Sequence, residues 1–323
     1  MTKMIDQMDQ SDASRIIGGA LQPVVITRHR RVRPATVLIP LAFLAVHYIV
    51  VNLAAILYLF VYIVIQGMGN SLDLSVFSDA SRMEQLIYGQ TSGIAVLYAI
   101  MLIPIYMVYL HFARKRDTQT FYPGKPRIAD LLPALAMMIG AMGITNLWFM
   151  LLTRLSENNR LIQDMMQDYT DMSQAFSPEG GLILLTLGIT VLAPISEELL
   201  FRGIIQGELR KAVPEWLAIV LQAVLFALFH MQPIQSSYVI IPGLLLGMAY
   251  AWSRSIWVPI AMHILYNFIG SVIPVLVESN APLAEIVGWT EMAFIGVGLA
   301  AGLFFFLNRS HYIGRSMKNH DAI

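Results

Sequence analysis

The sequence contains no cysteine, so disulfide frameworks, thiolate metal sites and cysteine nucleophiles are excluded at once. Charge is scarce as well: Asp, Glu, Lys and Arg make up 13% of the 323 residues and cancel to a formal net charge of zero. A chain with no excess of positive charge carries no electrostatic footprint for nucleic acid. No internal repeat, low-complexity tract or linker divides it. No secretory leader is expected, because residues 1–27 are mixed and polar and the first long apolar run follows a basic cluster. The His-Glu-x-x-His helix of zinc enzymes is missing, as are a Gly-x-Ser-Gly elbow and a Gly-x-Gly-Asp motif.

What the chain does have is apolar length. Hydrophobic residues make up 57% of it, and the mean hydropathy is +0.63, outside the balance of a water-soluble domain. Apolar runs long enough to cross a bilayer, or nearly so, cover Val37–Ile65, Tyr88–Phe112, Ala129–Thr153, Gly181–Leu209, Trp216–Met231, Tyr238–Trp252, Ile256–Val277 and Leu283–Leu307. The expectation is an all-α polytopic membrane protein of about eight spans. Asp73, Asp79 and Glu84 follow the first run, whereas Arg114, Lys115, Arg116, Lys125 and Arg127 follow the second. Lys and Arg accumulate on cytoplasmic loops, so both termini are expected in the cytoplasm of a cell-membrane protein. The organisation reads as a basic tail (1–35, with Ile16–Ile26 touching the membrane surface), three spans and an outer segment (36–178), a membrane core (179–308) and a second tail (309–323). Leu161, Met165, Met166 and Tyr169 in the outer segment suit a short surface helix.

The core contains charge where charge is costly. Glu197, Glu198 and Arg202 lie inside the fourth run, and an ionised group at bilayer depth costs roughly 2.5–3.5 kcal/mol on insertion scales. Pro194 precedes them and predicts a break in the helix. Adjacent glutamates on a helix point about 100 degrees apart, so only Glu198 shares a face with Arg202 in the favoured i, i+4 register. The expected division is a Glu198–Arg202 ion pair with Glu197 left to face a cavity. Phe226 and His230 share one face of the fifth run, and His263 and Asn267 share one face of the seventh. A cavity common to these three runs would hold a carboxylate base, two imidazoles and an amide, with no protein nucleophile. That set suits attack by water on a carbonyl. Each residue also has a plainer reading as interhelical glue, and His47 and Asn52 in the first run are read that way. His111, His311 and His320 read as solvated, and Arg254 as a cytoplasmic anchor.

Glu197-Glu198-x-x-x-Arg202, Phe226-x-x-x-His230 and His263-x-x-x-Asn267, in this order, resemble the CPBP or Abi family of intramembrane proteases. That family includes the type II CAAX prenyl endopeptidases and bacteriocin-processing and immunity proteins. The resemblance covers about residues 180–275. It implies Glu197 as the base that activates water, His230 as its positioning partner, His263 and Asn267 at the oxyanion, and Glu198 and Arg202 holding the helix and the base. It implies a peptide or membrane-tethered protein as substrate; no cofactor is expected, because the His-Glu-x-x-His helix is missing and Arg202, one turn from Glu198, disfavours a nearby cation. Three rivals stand beside this reading: a zinc or iron centre built from the two glutamates and two histidines, a non-proteolytic immunity or scaffold protein of the same fold, and a transporter. The spans also raise a question of depth. His230 lies about 20 Å along its helix from Trp216, deeper than Glu197 and His263 if every run crosses straight. Either residues 199–209 dip into the membrane or the cavity is long.

Overall fold

The computed structural model describes residues 32–69, 78–175 and 181–318, with side chains up to residue 173 before the second gap and up to residue 308 in the last helix. The stretch Ile16–Ile26, the basic residues Arg28, Arg30 and Arg31, Asp73, and the side chains of Arg309, His311, Arg315, Lys318 and His320 lie outside these limits. Helices α1 (Pro34–Met68), α2 (Ala80–Gly89), α3 (Thr91–Arg116), α4 (Ile128–Ser156) and α5 (Arg160–Ala175) come first. They are followed by α6 (Gly181–Leu209), α7 (Glu215–Phe229), α8 (Pro233–Ser253), α9 (Trp257–Val277) and α10 (Ala281–Lys318). Among the described residues the one β-like pairing is an isolated bridge between Pro123 and Ser255. Seven of these helices are long and apolar enough to cross a membrane, namely all but α2, α5 and α7. The chain is thus an all-helical polytopic membrane protein.

The fifth expected run is the exception. α7 has 15 residues, about 22 Å at 1.5 Å per residue, which falls short of a hydrocarbon core of about 30 Å. His230 caps it, and Met231 takes a left-handed conformation (φ 52°) that ends the helix. Gln232 then caps α8 by accepting from the Gln235 N–H at 2.6 Å. α7 is thus shorter than a span and packs along α8, and His230 at its end lines the same cavity as Glu197 and His263.

α6 is the centre of the bundle. Every residue from Glu198 to Glu208 is buried, as expected of a helix enclosed by protein on all sides. Its turn widens to π geometry over Thr186–Leu192 and again over Leu199–Gln206. The break expected at Pro194 takes this form. Proline offers no N–H and crowds the carbonyl four residues back, and the wider turn before it relieves both. π segments of this kind occur at functional sites. A further π segment, Phe268–Val272, follows Asn267 in α9.

Around this centre the packing depends on small residues. α4 and α10 meet where a Cβ added to Gly140 would lie 2.9 Å from the Gly298 Cα, the close backbone approach by which helices associate in lipid. The surface helix expected in the outer segment is α5, whose Tyr169 hydroxyl reaches that of Tyr238 in α8 at 3.0 Å. Burial pushes the Tyr169 phenol up, so it stays a neutral hydrogen-bonding group. At the other end, residues 117–127 fold back over the bundle. Ser255 Oγ donates to the Gly124 carbonyl at 2.5 Å, the Ile256 N–H donates to Tyr122 O at 2.9 Å, and the guanidinium groups of Arg210 and Arg254 lie 4.6 and 5.2 Å from the Tyr122 ring centroid.

Candidate active site

Glu198 and Arg202 form the buried base of the site. Arg202 Nη1 donates to Glu198 Oε1 at 2.7 Å with neither side chain exposed. Nη2 donates to the Gly243 carbonyl of α8 at 3.1 Å, and the guanidinium lies 4.7 Å from the centroid of the Phe226 ring. An arginine supplies this planar fork and lysine does not. Glu198 Oε1 also binds His263 Nδ1 at 2.7 Å. A carboxylate only accepts, so Nδ1 carries the hydrogen and the imidazole is held edge-on, with Nε2 turned away from Glu198. That nitrogen comes within 3.7 Å of Glu197 Oε2, an ion-pair distance longer than a direct hydrogen bond.

The two glutamates therefore differ as helix geometry requires. Glu198 is sealed beneath the site, and Glu197, with its side chain 20% exposed, faces open space. His230 is fixed in the same manner as His263: its Nδ1 donates to the Phe226 carbonyl one turn back at 2.8 Å, which in the neutral ring leaves Nε2 as an acceptor. Phe226 sits between the two histidines, with ring centroids 4.9 Å from His230 and 5.8 Å from His263. Asn267 Nδ2 donates to the Ile189 carbonyl at 2.9 Å. Ile189 belongs to the first π segment of α6, and one amide hydrogen of Asn267 remains for a second partner.

Glu197, His230, His263 and Asn267 line one cavity of about 880 Å³. Glu198 and Arg202 lie beneath it and do not line it. Other polar groups complete the wall. Tyr98 and Tyr266 line it, as do Asn146 and Glu291, which are joined by a 2.5 Å hydrogen bond between α4 and α10. Glu291 escapes a reading built on paired motifs, although it shows the same signal as Glu197: a carboxylate inside an apolar run. Gln206 and Gln222 are further buried amides on the far side of the ion pair. Gln222 Nε2 donates at 3.0 Å to the same Gly243 carbonyl that Arg202 uses. A lone glutamine in an apolar helix is a weak signal, because interhelical glue explains it as well.

Beyond the cavity, the first span divides its two polar residues. His47 Nδ1 meets the Tyr106 hydroxyl of α3 at 2.8 Å, the interhelical bond expected of it. Asn52 corrects the expectation, since its Nδ2 donates to the Tyr48 carbonyl of its own helix at 2.7 Å on an exposed face. Among the described residues no helix covers that face, and the side chain turns to the i−4 carbonyl. Arg254 ends α8 in a left-handed conformation (φ 51°) against Tyr122, and His111 is exposed.

A buried ion pair, two oriented imidazoles and a partly exposed carboxylate thus meet around one polar cavity inside a helical membrane bundle. Residues 179–269 match the family model described as Type II CAAX prenyl endopeptidase Rce1-like, and this stretch is similar to the CPBP/CAAX proteases. The match covers the α6–α9 core and ends just past Asn267, leaving α1–α5 and α10 outside it. No curated protein and no solved structure matches the chain.

Proposed function

We propose that the chain is an intramembrane endopeptidase that hydrolyses a peptide bond of a membrane-associated protein or peptide, with Glu197 as general base for water. The observation that carries this reading is the division of the adjacent glutamates. Glu198 is neutralised by Arg202 and His263, and Glu197 is left on the cavity wall. Water held between Glu197 and His230 gives one proton to the Glu197 carboxylate, its oxygen attacks the scissile carbonyl, and the proton then passes to the leaving amine. His230 Nε2 accepts the water's second hydrogen. The remaining Nδ2 hydrogen of Asn267 is assigned to the developing oxyanion, joined by His263 Nε2–H when both ring nitrogens carry hydrogen.

The reading is metal-independent. A catalytic zinc takes three protein ligands, so the chelator arm of the test below decides this part of the proposal. The test is the purified protein in proteoliposomes against lipid-anchored fluorogenic peptides, prenylated and unprenylated, in the presence of a chelator. Cleavage that survives the chelator and falls at least ~100-fold in Glu197→Gln is the expected result. Cleavage by Glu197→Gln at the wild-type rate overturns the assignment.

A further inference from the structure

The cavity extends from Glu197 toward one end of the bundle only. Beyond the motif residues its wall is made by Thr91 in the first turn of α3, Asn146 in α4, Ser173 in α5, Glu278 just past α9, and Gly288 and Glu291 in the first part of α10. These positions lie toward the helix ends that join at residues 69–90, 157–180 and 278–280. Nothing in the wall comes from residues 117–127, 207–214 or 253–256. That opposite end is the one closed by the Ser255–Gly124 and Ile256–Tyr122 hydrogen bonds and by Arg210, buried against Tyr122 and Tyr250.

The two ends also differ in charge. The closed end has Arg114, Lys115, Arg116, Lys125, Arg127 and Lys211. The open end has Asp79, Glu84, Glu157, Asp164, Asp168 and Asp171, with fewer basic residues among them. Lys and Arg on short loops mark the cytoplasmic side of a membrane protein, so the open end faces away from the cytoplasm. The lining repeats this bias: Glu197, Glu278 and Glu291 contribute carboxylates to the cavity, and among the described residues no Lys or Arg lines it. A cleft lined by one sign of charge concentrates the opposite sign.

We propose that the cavity is entered from the non-cytoplasmic face, past Glu278 and Glu291, and that it takes the exported-side segment of a membrane-anchored polypeptide carrying Lys or Arg. The entry face and the charge preference stand on the cavity's extent and the placement of charge. The polypeptide substrate rests on the proteolytic reading.

The absence of cysteine makes this directly measurable. Gly288 lines the cavity, and a Cβ added there meets nothing within 4 Å, so Gly288→Cys places one thiol in the wall without displacing a neighbour. Lys115→Cys, exposed at the closed end, is the control. Each single-cysteine full-length protein is expressed in a bacterial host. Spheroplasts and inside-out vesicles are then treated with two membrane-impermeant methanethiosulfonates, a cationic trimethylammonium reagent and an anionic sulfonate reagent. The expected result is that Gly288→Cys reacts in spheroplasts, about 10-fold faster with the cationic reagent once corrected for intrinsic reactivity, and that Lys115→Cys reacts only in inside-out vesicles. Reaction of Gly288→Cys only in inside-out vesicles, or of Lys115→Cys in spheroplasts, overturns the entry face. Equal or anion-favoured rates at Gly288→Cys overturn the charge preference. None of these readouts requires proteolysis. Failure to cleave any peptide would count against the proposed function and leave the labelling result standing.

Discussion

α1 and α6 are both long apolar helices, and they use their length in opposite ways. α1 presents Leu38, Leu41, Ile49, Leu53, Ile56 and Phe60 outward, where lipid solvates them without loss. Its inward side packs Phe43, Leu44 and Val50 into the core and carries His47, hydrogen-bonded to Tyr106. α6 presents nothing outward between Glu198 and Glu208. Being enclosed, it can hold a carboxylate, a guanidinium and two widened turns, because neighbouring helices supply the partners that lipid lacks. Hydropathy marks both helices as spans, and the placement of charge shows which one the protein surrounds.

Breaking the buried pair should have the largest effect on stability. Arg202→Met leaves Glu198 with the His263 hydrogen bond alone and removes the donor to Gly243, for an expected loss of about 3–5 kcal/mol. It should be read as a fall in the monodisperse fraction after detergent extraction and in Tm. Arg202→Lys should rescue it only in part, because one ammonium does not reproduce the two-sided fork. A smaller loss, about 1–3 kcal/mol, is expected for Gly188→Ala, whose Cβ would press on the Ser92 carbonyl where α6 crosses α3. The smallest belongs to α1. His47→Phe should cost about 0.6 kcal/mol, the average for an interhelical hydrogen bond in lipid, with peptide cleavage near wild type. If His47→Phe cost as much as Arg202→Met, the contrast between the two helices would be wrong.

The same contrast explains what the sequence makes legible. The i, i+4 spacing of Glu198 and Arg202 requires no tertiary information, and it separates the two glutamates before any fold is known. The pairs Phe226–His230 and His263–Asn267 likewise identify helix faces. The links between faces are less legible because they run through backbone. His230 is oriented by the Phe226 carbonyl, Asn267 by the Ile189 carbonyl and Arg202 by the Gly243 carbonyl. A carbonyl has no residue type to read, and whether it is free depends on π turns that apolar sequence does not announce. The short α7 was hidden for a related reason. Its apolar run continues through His230 and Met231 toward α8, and the left-handed turn that cuts it at Met231 falls on a residue type not enriched in that conformation. Asn52 was misplaced because spacing does not say which face a neighbour will cover.

The account rests on two adjacent glutamates having separate roles, and the direct measurement compares Glu197→Gln with Glu198→Gln in purified protein, recording Tm and peptide-cleavage kcat for each. Glu197→Gln should keep Tm within about 1 °C, since the side chain is partly open to the cavity, while kcat falls by ~10²–10⁴. Glu198→Gln should lower Tm, because Arg202 then lies buried beside an uncharged amide. A Glu197→Gln protein that turns over as fast as wild type, or a Glu198→Gln protein that alone loses kcat at unchanged Tm, would contradict the division.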